Sequence, residues 1–107
     1  MVENSDAKTI RTKISELELH YRETERSCNF LEENIRESIA RTEKSIDSGV
    51  FKASNLKELE ELLQAKKKGL NDVCENRDKL RYEYRKQLTQ YNEELRLVEG
   101  EDKNEYN

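Results

Sequence analysis

The residues that could do chemistry in this chain are few, and their spacing is poor for it. The only histidine, His20, stands one turn from Glu16, but the Glu-x-x-His spacing of helical two-metal sites is absent. His20 therefore reads as a solvated surface side chain. Two thiols, Cys28 and Cys74, do not complete a closed zinc site. Their expected place at one height of a helical pair leaves them too far apart for a disulfide, so they read as reduced and partly buried. Arg77, Lys79, Arg81, Arg85 and Lys86 surround Tyr82 and Tyr84, a pattern superficially like a stacking platform for nucleic acid. Asp78 and Glu83 dilute it, and a salt-bridged solvent face is the expectation. Lys66-Lys67-Lys68 is a small basic spot suited to an acidic partner. No glycine-rich phosphate loop, nucleophile elbow or histidine–carboxylate array is present. The sequence predicts a protein that is not an enzyme, with no metal and no cofactor.

The elements that must position these side chains follow from composition. The chain has 107 residues, 41% charged and 33% apolar, with no proline, no tryptophan and three glycines. Compact globular domains carry about 25% charged and about 45–50% apolar residues. A thick core is excluded, leaving disorder or long helices that bury a narrow stripe. The mixed charges, with a formal net of −4, argue against a nucleic-acid partner. No apolar run reaches the ~18–20 residues of a membrane span. The opening Met1-Val2-Glu3-Asn4 does not resemble a signal peptide, and the expected location is cytoplasmic.

Periodicity decides for helices. Apolar residues recur at alternating steps of four and three: Ile10, Ile14, Leu17, Tyr21, Thr24, Cys28, Leu31, Ile35, Ile39, Thr42, Ile46. A second series runs Leu56, Leu59, Leu63, Lys66, Leu70, Val73, Arg77, Leu80, Tyr84, Leu88, Tyr91, Leu95, Val98. This is a heptad seam, with one stutter per series. Gly49 is placed to end the first helix in the left-handed conformation, and Asn55 with Glu58 resembles a capping box. The expected fold is all-α: an elongated antiparallel coiled-coil hairpin forming a single domain. Its expected parts are a helix near 6–47 capped by Ser5 or Asp6, a loop near 48–54, a helix near 55–99 and an acidic tail 100–107. Facing residues should have indices summing to 101 or 102, as in Tyr21–Leu80, Leu17–Tyr84 and Leu31–Leu70. Three layers are weak: Ile35–Lys66, Thr24–Arg77 and Thr42–Leu59.

Lys66-Lys67-Lys68-Gly69 also reads as a helix end, with Asp72 and Glu75 able to cap a new helix. A break there would make a three-helix bundle, near 6–47, 55–68 and 71–99. The seam keeps its phase through Lys66, Leu70 and Val73, which favours one continuous helix. Acid-first pairs four residues apart (Glu18–Arg22, Glu32–Arg36, Glu37–Arg41, Glu75–Lys79) each add about 0.3–0.5 kcal/mol of helix stability.

Function is expected in the apolar residues that leave the seam. Leu19 and Phe30 share an outward stripe of the first helix, Val50 and Phe51 occupy the loop tip, and Tyr82 faces outward on the second helix. On an otherwise charged rod these are candidate partner-binding residues. A two-helix seam buries little, so a protein partner, another helical subunit or a homo-oligomer would add stability.

Asn55-Leu56-Lys57-Glu58-Leu59-Glu60-Glu61-Leu62-Leu63 resembles the segment opening the second helix of tubulin-binding cofactor A. Asn71-Asp72 falls where that family tends to have Pro-Asp at its third helix. The resemblance implies a three-helix chaperone that holds β-tubulin. Ser48-Gly49-Val50 followed by Leu56, Leu59 and Leu63 is similar to the turn of the flagellar and type III secretion stalk family. Those are antiparallel hairpins that associate with an export ATPase. The expected function is a small chaperone or adaptor; the alternative is a structural coiled-coil subunit of a larger helical complex.

Overall fold

The structure is a computed structural model that describes residues 5–105. Two helices account for almost all of them: α1, Ser5–Asp47, and α2, Ala53–Glu105. The fold is an all-α helical hairpin. Its contacts divide into two compact units. Unit 1 pairs the part of α1 up to Thr24 with the part of α2 from Lys79 onward, and unit 2 is Glu25–Asp78 with the turn inside it.

The turn forms for the reason the sequence suggests. Gly49 has φ +71°, a conformation that costs a side-chain-bearing residue about 1–2 kcal/mol. The Ser48 amide donates to the Lys44 carbonyl at 3.1 Å, and the Ser48 hydroxyl donates to the Ser45 carbonyl at 2.6 Å. Carbonyls orphaned at the end of α1 thereby gain donors.

The ends of α2 differ from the sequence expectation. α2 begins at Ala53, and the Leu56 amide bonds the Lys52 carbonyl at 2.8 Å. Lys52 is thus the capping position, and Asn55 already lies inside the helix. α2 passes unbroken through Gly69, the continuous course the seam phase favoured, but it also passes through Gly100, where the acidic tail was expected to begin, and continues to Glu105. Among the described residues, only Gly49 has positive φ. A glycine in helical conformation weakens a helix by about 1 kcal/mol but does not end it. The third helix near 71–99, and with it the three-helix form implied by the tubulin-cofactor resemblance, is absent. α1 starts at Ser5 with Asp6 in its first turn, where an acid suits the positive pole. Positions 106 and 107 of the expected tail lie outside the described residues.

The seam is thin. Ala7, Ile10, Ile39 and Leu63 are the buried apolar residues and Thr42 the buried polar one, and none of the described side chains is completely enclosed. Every predicted seam position is shielded except Leu31, which is 49% exposed. Its neighbour Glu32 takes that place, with a side chain only 16% exposed. The stutter of α1 therefore falls at Thr24–Cys28–Glu32 rather than at Leu31–Ile35–Ile39.

Facing residues also shift. Leu80 lines the groove in which Tyr21 stacks on Tyr84, with ring centroids 4.1 Å apart and planes 9° from parallel. Their indices sum to 105, and the sums are larger for contacts made by Lys66 and Arg77. Helical side chains lean toward their own N-terminus. In an antiparallel pair both partners lean toward lower numbers, so touching residues have larger index sums than level backbones. Long side chains enlarge the sum further.

Candidate protein-interaction site

In unit 1, edge and seam are easily told apart. Arg11 pairs with Glu99, both immediately following seam residues (Ile10 and Val98). His20, Glu83 and Gln87, which immediately precede Tyr21, Tyr84 and Leu88, line one groove together with Leu17 and Leu80. Residues that follow seam positions thus share one edge, and residues that precede them share the other, as antiparallel heptads require. Among the described residues, no group of three His, Cys, Asp or Glu side chains is placed to hold a metal ion. His20 lies exposed in its groove, as expected.

In unit 2 the seam itself holds charge. Arg77 pairs with Glu32, their side chains 15% and 16% exposed, and Arg77 Nη1 also donates to Asn29 Oδ1 at 2.9 Å. Arg36 Nη2 donates to Glu32 Oε1 at 2.9 Å, and the Cys74 thiol reaches the same oxygen at 3.7 Å. The hydrogen bonds from Arg77 and then Arg36 hold the Glu32 carboxyl down from its ordinary 4.5 to about 2. About three turns of seam further on, Lys66 Nζ donates to Thr42 Oγ1 at 2.7 Å, and that hydroxyl donates to the Ser38 carbonyl at 3.0 Å. The weak layers of the expected register set Lys66 against Ile35, Arg77 against Thr24 and Thr42 against Leu59. Instead Lys66 meets Thr42 and Arg77 meets Glu32, which spares both cations the cost of burial without a polar partner. Both cysteines are free thiols and half-buried.

The five predicted contact residues all lie outside the seam: Leu19, Phe30, Val50, Phe51 and Tyr82 are 41–78% exposed. Leu19 and Tyr82 belong to unit 1; Phe30, Val50 and Phe51 belong to unit 2. Val50 and Phe51 share a groove at the turn with Arg41, Lys44, Ser45 and Ser48. They form an apolar tip beside two cations.

Three further exposed apolar residues, Leu31, Leu62 and Leu97, were not predicted as contacts. Leu62 and Leu97 were legible in the sequence, since each precedes a seam residue (Leu63, Val98) and a seam admits only one of two neighbours. Leu31 was not, because moving the stutter by one heptad exchanges it for Glu32.

No helix among the described residues is long and apolar enough to cross a membrane. No family model matches the chain, and no curated protein or solved structure is significantly similar to it.

Proposed function

We propose that this chain is a non-enzymatic protein-binding module, an adaptor or small chaperone whose exposed apolar side chains dock on a partner. The observation that carries this reading is the distribution of apolar surface. Among the described residues, large apolar side chains that include all five expected contacts stand in solvent, while the seam itself is mostly half-buried. Isolated exposed apolar residues are ordinary, but several of them on so charged a chain are the mark of an interaction surface. At the turn, Val50 and Phe51 beside Arg41 and Lys44 suit a partner segment with an apolar side chain flanked by acids.

The test is affinity capture from the native cell with the wild type, Phe30→Asp and Phe51→Asp. Loss of a specific partner in either variant is expected, and undiminished capture by both would refute the docking reading. Purified β-tubulin is the first defined probe, because of the resemblance at Asn55–Leu63. If it fails to associate, the tubulin assignment falls and the docking surface stands to be matched to another partner. A permanent subunit of a larger helical complex is the second reading, favoured by the thin seam with charges in it. Sedimentation and circular dichroism separate the two: a well-folded isolated chain supports the adaptor, and a molten or aggregating one supports the subunit.

A further inference from the structure

The turn end of unit 2 carries two cations outside any internal ion pair. The groove there is lined by Arg41, Lys44, Ser45, Ser48, Val50 and Phe51, and no acid lines it. Glu37 precedes Arg41 by four residues, yet among the described residues neither Arg41 nor Lys44 is held by a carboxylate. Three residues apart on one helix, the two like charges are neighbours, which favours an external anion between them. Val50 is 78% exposed and Phe51 41%. The tip keeps its shape without a partner. Gly49 turns the chain, the Ser48 hydroxyl donates to the Ser45 carbonyl, and the Val50 amide donates to Ser48 Oγ at 3.4 Å. A preformed site loses little conformational entropy on binding.

We propose that this groove binds a short acidic segment of a partner protein, with one apolar anchor seated on Val50 and Phe51 and carboxylates on Arg41 and Lys44. The inference rests on the adaptor reading and adds the chemistry and spacing of the partner segment. Broader polyanions fit the hairpin end less well. Between positions 41 and 61, five acids (Glu43, Asp47, Glu58, Glu60 and Glu61) outnumber four bases. An anionic membrane or a nucleic-acid strand meets that whole surface, whereas a narrow peptide in the groove meets only its cations. Phosphate also fits poorly. The groove lies at the carbonyl end of α1, whose partial negative charge opposes a concentrated dianion. The spacing follows from the helix. Lys44 and Arg41 lie about three and six residues before the end of α1, or ~4.5 and ~9 Å. An extended peptide covers ~3.3 Å per residue, so both carboxylates belong within about three residues of the anchor, on one side of it.

Fluorescence anisotropy of the full chain with labelled synthetic peptides tests the proposal. Each peptide has one central Leu, Phe or Trp. Three sets carry two Glu within three residues of it, two Glu more than five residues away, or two Lys in place of the near Glu. The near-Glu set is expected to bind about tenfold tighter than either other set, with the advantage shrinking as salt rises. Arg41→Glu combined with Lys44→Glu should reverse the preference toward the Lys peptides. Its helical circular dichroism should be kept, because both side chains are exposed. Phe51→Asp should weaken binding of the near-Glu set. Vesicles containing phosphatidylserine and a single-stranded oligonucleotide are the competing probes. Absent or equal binding of the near-Glu and Lys peptides, no reversal in the double variant, or tighter binding to vesicles or oligonucleotide would each overturn the acidic-segment proposal. In that event, cellular capture that still depends on Phe30 or Phe51 keeps the adaptor reading, and only capture indifferent to both removes it.

Discussion

Unit 1 and unit 2 are built from the same two helices and solve the seam problem in opposite ways. In unit 1 an aromatic pair, Tyr21 on Tyr84, fills the seam and the charged pair Arg11–Glu99 stays at the edge. In unit 2 the seam encloses Glu32 with Arg77 and Lys66 with Thr42, while Leu31 and Leu62 remain outside. A pair of helices optimised only for its own stability would follow the first plan throughout, because enclosed charges gain less than apolar side chains in the same volume. Enclosed charges do fix register, since a slip leaves them without partners. Unit 2 thus combines a specified alignment with apolar surface left for something else.

The strongest challenge to this contrast compares two adjacent leucines. Leu63→Ala, at a buried site, should lower unfolding free energy by about 2–4 kcal/mol, and Leu62→Ala by less than about 0.5 kcal/mol in dilute monomer. Equal losses in chemical denaturation would show that the edge of unit 2 is part of its core. The glycines should respond with opposite signs. Gly49→Ala, forced into φ +71°, should destabilise by about 1–2 kcal/mol, whereas Gly69→Ala should raise dilute-chain stability by about 1 kcal/mol. Thermal melts of both variants would check the turn and the unbroken course of α2 together.

In unit 1, Tyr84→Leu keeps an apolar side chain but removes the ring stack, and should cost about 0.5–1.5 kcal/mol. A neutral result would make the stack incidental. The most delicate difference is one of pH. Glu32 has a folded-state pKa of about 2 against an ordinary 4.5, so it binds its proton less readily when folded. Its contribution is fully present above pH 4.5 and is lost as pH falls toward 2. Glu32→Gln should flatten the acid limb of stability between those values, and an unchanged limb would remove the seam role assigned to the Glu32–Arg77 pair.

What the sequence by itself determined is the part of the fold that is local. Heptad spacing, a glycine suited to positive φ and the absence of proline specify two long helices and a turn at Gly49. They also place all but one of the seam positions and the outward course of Leu19, Phe30, Val50, Phe51 and Tyr82. Each of these depends on residues within a few turns of one another. Only the tertiary structure decided what depends on the opposite helix. Leu31 and Glu32 fit the helical period equally well, and the choice between them was made by Arg77, 45 residues away, which needs a carboxylate beside it once it enters the seam. The contact register moved because side chains on both helices lean backward, a three-dimensional fact that counting along one strand of text does not contain.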